Sequence, residues 1–298
     1  MALLAPSIGT PVPTEPSIGP VAPPPGSKHS RARRALVALT AFAVVFGVWS
    51  FVSDVVVSGP KRFLLPPPWS VVAVGFDRQS IDALLPAFGR TSELVVVGLI
   101  VALAVGVGTG TLLFRFGWLE RASFPYLVAL QAVPVLAVAP LLGVAFGYNF
   151  FAKLLVVIII AFFPIPASFL LGLKSVDRGL VDLFALHRAG WWIRFFKLAL
   201  PNSLPALFTG FRISAGLSVI GAIVGEQSFQ TGKPGLGMLM IQYIDYVEYD
   251  QLYAVIFASS LLGIFFFVLF SALSRRLFGH WHESIQPDVQ RRARSSLR

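Results

Sequence analysis

Residues 151–173 read FAKLLVVIIIAFFPIPASFLLGL, and this stretch indicates the class of fold. Lys153 is its single charged residue. A helix of about 20 residues, rising about 1.5 Å per residue, crosses the roughly 30 Å hydrocarbon core of a bilayer. A strand alone in lipid would leave its backbone N–H and C=O groups unpaired, so the stretch is predicted to be a membrane-spanning helix.

Five further apolar stretches have a similar length and are predicted to cross the membrane in the same way. The six predicted spans are residues 35–57, 88–113, 122–146, 151–173, 204–225 and 251–273. Prolines in the third span (Pro125, Pro134 and Pro140) and the fourth (Pro164 and Pro166) predict that these two helices are kinked or broken. We therefore expect an all-α membrane protein with a six-helix domain over residues 35–280.

The composition excludes several classes of protein. Hydrophobic residues make up 56% of the 298 positions and charged residues 13%, against about 25% charged in ordinary soluble domains. The mean hydropathy of +0.77 rules out a soluble enzyme, a DNA-binding protein and a disordered scaffold. Because the chain has no Cys, it has neither a disulfide framework nor a thiolate metal site.

Both ends of the chain are predicted to be cytoplasmic tails. Residues 1–34 begin with a long stretch rich in Pro, Gly, Ser and Thr that has no apolar period. Such a segment cannot bury enough surface to offset its ordering entropy, so we expect it to be disordered. Residues 281–298 are predicted to form a second, basic tail.

Lysine and arginine are distributed unevenly between the predicted loops. With the N-terminus inside, 17 of the 24 basic residues lie in the cytoplasmic segments 1–34, 114–121, 174–203 and 274–298. The outer segments hold Lys61, Arg62, Arg78, Lys153 and Lys233. This bias is typical of six spans with both termini in the cytoplasm, so the net charge of +10 does not indicate nucleic-acid binding.

Small residues recur every four positions in the second span, at Gly98, Ala102, Gly106 and Gly110. Helix packing in lipid depends on close approach, since it gains little from the hydrophobic effect. The pattern predicts packing within one subunit, and a dimer seam is the alternative.

Two ionisable residues lie near opposite ends of the fifth span. Arg212 and Glu226 are 14 residues apart, about 21 Å along a helix, so they do not pair with each other. Snorkelling of each side chain to its interface is the expected behaviour. A place on the translocation path or at a gate is the alternative.

The chain lacks the sequence patterns of catalytic and nucleotide-binding sites. His280 and His282 are two residues apart, whereas a helical zinc site needs a separation of four. Thr231-Gly232-Lys233 is followed by Pro234, where a phosphate loop needs Ser or Thr. Residues 232–237 are better explained as a tight turn that opens a short helix. We expect no catalytic, cofactor-binding or metal-binding residues in this chain.

The longest predicted cytoplasmic loop, residues 174–203, has the pattern of an amphipathic helix. Its apolar residues (Leu183, Leu186, Trp191, Phe195, Leu198 and Leu200) are interleaved with Arg188, Arg194 and Lys197. A helix of this kind between two spans is either a membrane-surface helix or a docking element for a partner protein.

This loop resembles the cytoplasmic EAA loop of permease subunits of bacterial binding-protein-dependent ABC importers. The pattern of that loop is Glu-Ala-Ala-x-x-x-Gly, then nine residues, then Ile-x-Leu-Pro. Asp182 stands at the Glu position, Leu198 at the Ile position, and Leu200-Pro201 ends the pattern. Arg188 replaces the Gly, so the turn between the two short helices of the loop lies either there or at Gly190.

Other landmarks are similar to the branch of this family that handles nitrate, sulfonates, taurine and pyrimidine precursors. They are residues 64–71 (LLPPPWSV), Gly210-Phe211-Arg212, Gly225-Glu226 and Gly235-Leu236-Gly237. The resemblance covers about residues 35–280 and includes the six-span topology.

The resemblance implies a type I importer permease in the bacterial plasma membrane, which forms half of a channel. A second copy would complete the pore, and cytoplasmic ATPase subunits carrying ATP-Mg would receive the loop. An external binding protein would deliver a small anion, or a vitamin or pyrimidine precursor. ATP hydrolysis is expected in the partner chain, so this chain is not itself an enzyme. The implied ATPase-coupling residues are Asp182, Ala185, Arg188, Ala189, Gly190, Leu198, Leu200 and Pro201.

Two other functions stay open on the sequence alone. A secondary carrier or channel without an ATPase would need an internal coupling site, and the predicted spans carry no carboxylate near their middle. A scaffold whose loop lies on lipid would need a regular basic amphipathic helix. The apolar surface formed by Trp191-Trp192 and Phe195-Phe196 is broad and irregular instead.

Overall fold

The computed structural model describes residues 28–57 and 63–282, and the rest of both predicted tails lies outside the described residues. All regular secondary structure in the described part is helical, which confirms the predicted all-α class. Two π-helical turns, Val52–Val56 and Phe195–Ala199, follow α1 and α9. The helices are α1 Lys28–Phe51, α2 Pro68–Gly75, α3 Arg78–Arg115, α4 Gly117–Gln131, α5 Val135–Phe146, α6 Phe150–Phe162, α7 Pro164–Lys174, α8 Arg178–Leu186, α9 Trp191–Arg194, α10 Leu200–Phe229, α11 Leu236–Asp245 and α12 Tyr249–His282.

Five helical stretches in the described residues are long and apolar enough to cross a bilayer. They are Leu39–Val56, Arg78–Arg115, Phe150–Lys174, Trp191–Phe229 and Tyr249–Ser274. These five correspond to the first, second, fourth, fifth and sixth predicted spans. The third, residues 122–146, is divided between α4 and α5, and neither is long enough to cross alone. A sixth crossing by this divided pair stays a prediction.

The division of the third span has a local cause. Pro134 has no backbone N–H and disfavours helical backbone at the preceding residue. The α4 helix therefore ends at Gln131, and Pro134 precedes the first turn of α5 with extended backbone, at φ −71° and ψ 92°. Pro125 and Pro140 lie inside α4 and α5 without ending them. In the fourth span, Pro164 begins α7 directly after the break at Phe163.

Two helices begin earlier than the apolar pattern indicates. The α1 helix starts at Lys28, so residues 28–34, which we expected in the tail, are helical; Ala and Arg are good helix formers. The α3 helix starts at Arg78 because the Asp77 carboxylate accepts a 2.7 Å hydrogen bond from the Ser80 N–H. This hydrogen bond holds the pKa of Asp77 below its ordinary value.

The chain divides into two compact units at Phe51. The first contains α1, whose apolar side chains, such as Leu39, Phe42 and Val45, are exposed. A helix with this surface is stable in lipid and not in water. The second unit, from Val52 onward, contains all the other helices.

The helices of the second unit pack around α10, which contacts α3, α5, α6, α7, α11 and α12. One buried apolar cluster includes Leu94, Val219 and Leu262, from α3, α10 and α12. Another includes Ile165 of α7 and Leu207 of α10. The first cluster thus joins α10 to α3 and α12, and the second joins α10 to α7.

The small residues of α3 form the seam with α6 and α7. A Cβ at Gly98 would overlap Val157, and a Cβ at Gly106 would lie 2.7 Å from Ile165. Gly110 faces the Phe169 ring in the same way. The structure therefore confirms packing within one subunit as the role of this pattern.

Gly98→Ala should destabilise the fold, because its Cβ has to displace Val157 in a closely packed seam. We expect the free energy of unfolding in detergent micelles to fall by about 1–3 kcal/mol, the usual effect of overpacking. Gly108→Ala is the matched control on the same helix, since among the described residues no atom beyond its own turns of helix backbone lies within 4 Å of the added Cβ. It should be neutral or stabilising by up to about 1 kcal/mol. An equal loss in both variants would contradict the packing role of Gly98.

Candidate functional site

Glu226 lies close to the end of α10 and is 3% exposed. The Thr91 hydroxyl of α3 donates to its carboxylate, 2.9 Å from Oε1 and 3.0 Å from Oε2. The Gly237 N–H donates to Oε2 at 2.8 Å, and the Leu236 N–H donates to the Thr91 hydroxyl at 2.8 Å. We name this set, Thr91, Glu226 and the N–H groups of Leu236 and Gly237, the Glu226 clamp. It joins α3, α10 and the first turn of α11 around one buried carboxylate.

Three glycines make room for the Glu226 clamp. A Cβ at Gly235 would overlap the Glu226 carboxylate, and a Cβ at Gly237 would overlap the backbone of Ile223. Gly225 lets α10 approach the backbone of Lys153 on α6, where a Cβ would lie 3.3 Å from the carbonyl oxygen. Two landmarks that are separate in the sequence, Gly225-Glu226 and Gly235-Leu236-Gly237, therefore form one site.

The loop that connects α10 to α11, residues 230–235, is held by side chains from two other helices. Arg90 of α3 donates to the Pro234 carbonyl at 2.5 Å. Lys153 of α6 donates to the Thr231 carbonyl at 2.9 Å. The Thr231 hydroxyl in turn donates to the Tyr148 carbonyl at 2.5 Å, which ties this loop to the one before α6. Gly232 has a φ of +81°, and α11 begins at Leu236, which confirms the predicted turn and short helix.

A cavity of about 560 Å³ lies between these loops and α3. We name it the Lys153 cavity. Its charged lining residues are Arg90, Lys153, Lys233, Glu93 and Glu226. Tyr148, Asn149 and Phe150 complete much of the remaining wall.

The expectation that Glu226 snorkels to the interface is wrong, because its carboxylate is buried and accepts hydrogen bonds from the Thr91 hydroxyl and the Gly237 N–H. Arg212 behaves differently. It is partly buried on α10, and its guanidinium lies 5.4 Å from the centre of the Phe267 ring. Its Nε is buried and has no hydrogen-bond partner among the described residues.

At the other end of the bundle, the loop predicted to couple to an ATPase forms two short helices. The Asp177 carboxylate begins α8 by accepting from the N–H groups of Gly179 and Leu180, at 2.8 and 3.4 Å. Helix α8 ends at Leu186, and α9 begins at Trp191.

The turn between α8 and α9 lies at Arg188, which has a φ of +49°. Its N–H donates to the Ala185 carbonyl at 2.9 Å, and the Ala189 N–H donates to the Phe184 carbonyl at 3.0 Å. This pair of bonds is the Schellman ending of a helix, whose left-handed position usually holds Gly. Arg188 thus occupies the position of Gly in the family pattern, and it also has the left-handed backbone conformation that usually requires Gly. Gly190 has extended backbone and precedes α9.

The two ends of this loop, where α7 and α10 meet, are held together by hydrogen bonds and close packing; we call this junction the base of the loop. The Asn202 amide donates to the Gly172 carbonyl at 3.2 Å and to the Ser175 hydroxyl at 2.9 Å. A Cβ at Gly172 would lie 2.8 Å from Cα of Ser203, so α7 and α10 touch there. Lys174 also forms a 2.5 Å ion pair with Glu120 of α4.

The surface of the loop is apolar and exposed. On α8, Leu180 and Leu183 are about half exposed and Leu186 is 81% exposed. On the next segment, Trp192 and Phe196 are exposed and their rings stack with centroids 5.7 Å apart. Their neighbours Trp191 and Phe195 turn inward and stack with centroids 5.0 Å apart. A cavity of about 420 Å³ lies behind them; it is lined by Phe114, Arg115, Leu173, Lys174, Val176, Val181, Trp191, Arg194, Phe195, Leu198 and Ala199.

The structure places the predicted coupling residues on one continuous segment. Those before α9 are mostly exposed, and Leu198, Leu200 and Pro201 are partly buried where the loop joins α10. Reasoning from the sequence missed Thr91 and the inward role of Lys153. The available signal for Lys153 was a single lysine inside an otherwise apolar span, whereas Thr91 stands beside Arg90, Ser92 and Glu93 and gave no signal. Among the residues that the structure describes, no group of three His, Asp or Glu side chains is arranged to hold a metal ion.

These features are those of a membrane transport subunit, and comparison with known proteins identifies the family. Residues 81–279 match the family described as the binding-protein-dependent transport system inner membrane component. The chain belongs to this family. It is therefore a permease subunit of a bacterial ABC importer and a multi-pass protein of the plasma membrane, as its resemblance to that family predicted.

Individual relatives support the same assignment. The chain is 33% identical over 249 residues to the formylaminopyrimidine transport permease protein ThiX of Halalkalibacterium halodurans, covering 83% of this chain and 96% of that protein. It is 32% identical to the riboflavin transport system permease protein RibX of Chloroflexus aurantiacus, over 78% of this chain and 85% of that protein. It is 26% identical to the putative aliphatic sulfonates transport permease protein SsuC of Bacillus subtilis, with coverages of 82% and 87%.

The fold is similar to that of a solved transporter. A chain of the inward-facing MetNI methionine ABC transporter superimposes with a TM-score of 0.59 at 18% identity. The match covers 67% of this chain and 99% of that chain. The predicted importer-permease fold is thereby confirmed.

Thr91→Val should test the Glu226 clamp. It removes the hydroxyl at constant shape, so a buried carboxylate loses a donor and the Leu236 N–H loses its acceptor. We expect the free energy of unfolding in detergent to fall on the order of 3 kcal/mol. Thr111→Val is the control on the same helix, because in the described part of the chain that hydroxyl bonds to the Val107 carbonyl of its own turn; its effect should stay below about 0.5 kcal/mol. Similar losses in the two variants would show that the hydroxyl at residue 91 has no special role.

Arg188→Gly should stabilise the loop, because left-handed backbone costs a non-glycine residue about 1 kcal/mol. We expect amide hydrogen exchange of α8 to slow about fivefold. Arg188→Ala removes the same charge but keeps the backbone cost, so it should give no slowing. Equal exchange rates in the glycine and alanine variants would contradict the left-handed turn at this residue.

Proposed function

We propose that two copies of this chain form the translocation path of an ATP-driven importer. Cytoplasmic ATPase subunits bind the loop 174–203, and a solute-binding protein delivers the solute to the opposite face. One observation carries the proposal: α8 and α9 present an exposed apolar surface, and the two ends of their loop are bonded together where α7 meets α10.

The loop surface suits a protein partner. Leu180, Leu183 and Leu186 follow one another at helical spacing, and they are exposed on α8. An apolar patch of this kind on a loop is typical of a protein-interaction site. Asp182 lies on the same helix and is also exposed, so it is available to a cation of the partner.

The closed base allows the loop to transmit motion. Because Asn202 and the close contact of Gly172 with Ser203 tie α7 to α10, displacement of α8 and α9 moves both helices together. ATP-driven closure of the ATPase pair would then change the packing of the spans as a rigid-body shift. The Mg-ATP chemistry belongs to the partner subunits, and this chain contributes no catalytic group to it.

The two ionisable residues of α10 have different proposed roles. Arg212 has a buried Nε free to take a hydrogen bond partner, which favours a place on the translocation path. Glu226 holds the start of α11 against α3 and α10, which favours a role in an outer gate.

The proposed solute is a small organic molecule, either an anion or a vitamin or pyrimidine precursor. Support comes from the relatives, whose names mention formylaminopyrimidine, riboflavin and aliphatic sulfonates. Specificity is set together with the binding protein, since that partner selects the solute before delivery.

Charge reversal or a charged substitution on the loop should uncouple transport. We expect Asp182→Lys and Leu186→Asp to reduce ATP-driven uptake into proteoliposomes at least about tenfold, as loss of one central interface contact does. Both side chains are exposed, so membrane insertion should stay normal. Arg121→Glu, a charge reversal on the exposed surface of α4, is the control and should transport normally.

Purification from the native membrane separates this proposal from a carrier that needs no ATPase. The wild-type chain should bring down an ATPase subunit at about one copy per permease, and Leu186→Asp should lose it. Normal uptake by both loop variants at normal expression would contradict the coupling role. Recovery of the wild-type chain without an ATPase, under conditions that preserve other importers, would favour the carrier.

A further inference from the structure

We propose that the Lys153 cavity binds a small organic anion, a carboxylate or sulfonate, with the Lys153 ammonium as its main counter-charge. The inference rests on the proposed function, since it makes the cavity the first solute site on the face opposite the ATPase loop. It concerns residues of α3, α6 and the 230–235 loop.

Lys153 is the strongest element of the site. The residue is 8% exposed, yet its ammonium group has three N–H donors. Among the described residues, the Thr231 carbonyl is the acceptor within hydrogen-bond distance. A buried ammonium is costly unless its donors are paired, so the remaining N–H groups favour an anionic acceptor in the cavity that the side chain lines.

The nearby Glu226 carboxylate does not take this role. It lies on the same cavity wall and attracts the ammonium, but its oxygens already accept from Thr91 and the Gly237 N–H. No ion pair between Lys153 and Glu226 occurs within 4 Å in the described part of the chain. The carboxylate thus holds the protein together, and the ammonium stays available to a ligand.

Two further cations face the cavity. Arg90 uses one N–H group on the Pro234 carbonyl, which leaves other donors of its guanidinium. Lys233 lies on the exposed rim. With Lys153 these make three positive charges against the carboxylates of Glu93 and Glu226, so the cavity as a whole attracts an anion.

The size and the wall of the cavity suit an organic anion. Its volume of about 560 Å³ falls within the range of about 300–1,000 Å³ typical of small-molecule sites. Tyr148 and Phe150 are half exposed on its wall, and the Tyr148 ring is supported by the Phe229 ring at 5.9 Å. Aromatic faces beside a cationic end fit a ligand with one acidic group and an apolar body.

The position of the cavity supports a role in solute entry. The charge pattern of the sequence predicts that Lys153 and Lys233 lie outside, and the structure brings them to one cavity. The Thr231 carbonyl accepts from Lys153, and Thr231 belongs to the 230–235 loop, which leads into the start of α11 that the Glu226 clamp holds. An anion on Lys153 therefore lies beside the loop that joins the cavity to the element proposed to act as the outer gate.

Anion binding can be measured on the full chain purified with its ATPase. The midpoint of thermal denaturation is followed while sodium methanesulfonate, or in a second series sodium acetate, replaces sodium chloride at constant ionic strength. Wild type should be stabilised with saturation, since a ligand of the native state raises the midpoint. Lys153→Gln should need about tenfold more anion for half of the effect, the ratio expected from one charged hydrogen bond.

Two matched variants decide the result. Arg121→Gln, which removes a cation from the exposed surface of α4, should bind like wild type, and Lys153→Arg, which keeps the charge, should bind within about threefold. If Lys153→Gln does not fold, Lys233→Gln on the exposed rim replaces it in the test. This variant should need about threefold more anion than wild type for half of the stabilisation. The proposal is overturned if wild type shows no saturable stabilisation, or if Lys153→Gln and Lys233→Gln both bind like wild type.

Failure of this proposal and failure of the importer function are distinguishable. If ATP-driven uptake occurs but anion binding does not depend on Lys153, the importer stands and the cavity site is wrong. If anions bind through Lys153 but the loop variants transport normally, the site stands and the coupling role of the loop is wrong.

Discussion

The buried carboxylate of Glu226 ties three helices of the bundle together. A charge removed from water costs several kcal/mol unless hydrogen bonds compensate it. Here the compensation comes from Thr91 of α3 and from the first turn of α11, so these elements cannot leave α10 without exposing unpaired polar groups. Gly235 and Gly237 follow from the same requirement, since a side chain at either position would occupy the space of the carboxylate or of the α10 backbone.

At the opposite end of the bundle, local hydrogen bonds rather than a buried charge determine the structure. Helix α8 has no buried residue, and it is shaped by local bonds alone: the Asp177 cap at its start and the left-handed Arg188 at its end. Its shape therefore does not depend on packing against the bundle, while its base is fixed by Asn202 and Gly172. A stiff, exposed loop on a closed base is what mechanical coupling to a second protein requires.

The sequence predicted the helices better than their ends or their polar contacts. Apolar length located five of the spans, and the glycine spacing of α3 located its packing face. A kink or break in the third span was expected, but the apolar pattern alone does not distinguish Pro134, where the break lies, from Pro125, which α4 accommodates. The partners of Glu226 could not be predicted, because Thr91 is 135 residues away and its hydroxyl carries no pattern. The Arg188 turn could not be chosen over Gly190, since only the backbone shows which residue is left-handed.

The chain has no native cysteine, so single cysteines report directly on which side of the membrane each end lies. The most direct measurement is labelling of Lys233→Cys and Leu186→Cys by a membrane-impermeant maleimide, in intact cells and after permeabilisation. A permease with its solute cavity outside and its ATPase loop inside predicts that Lys233→Cys is labelled in intact cells. Leu186→Cys should react only after permeabilisation. The reverse pattern would contradict the proposed direction of transport and the placement of the ATPase.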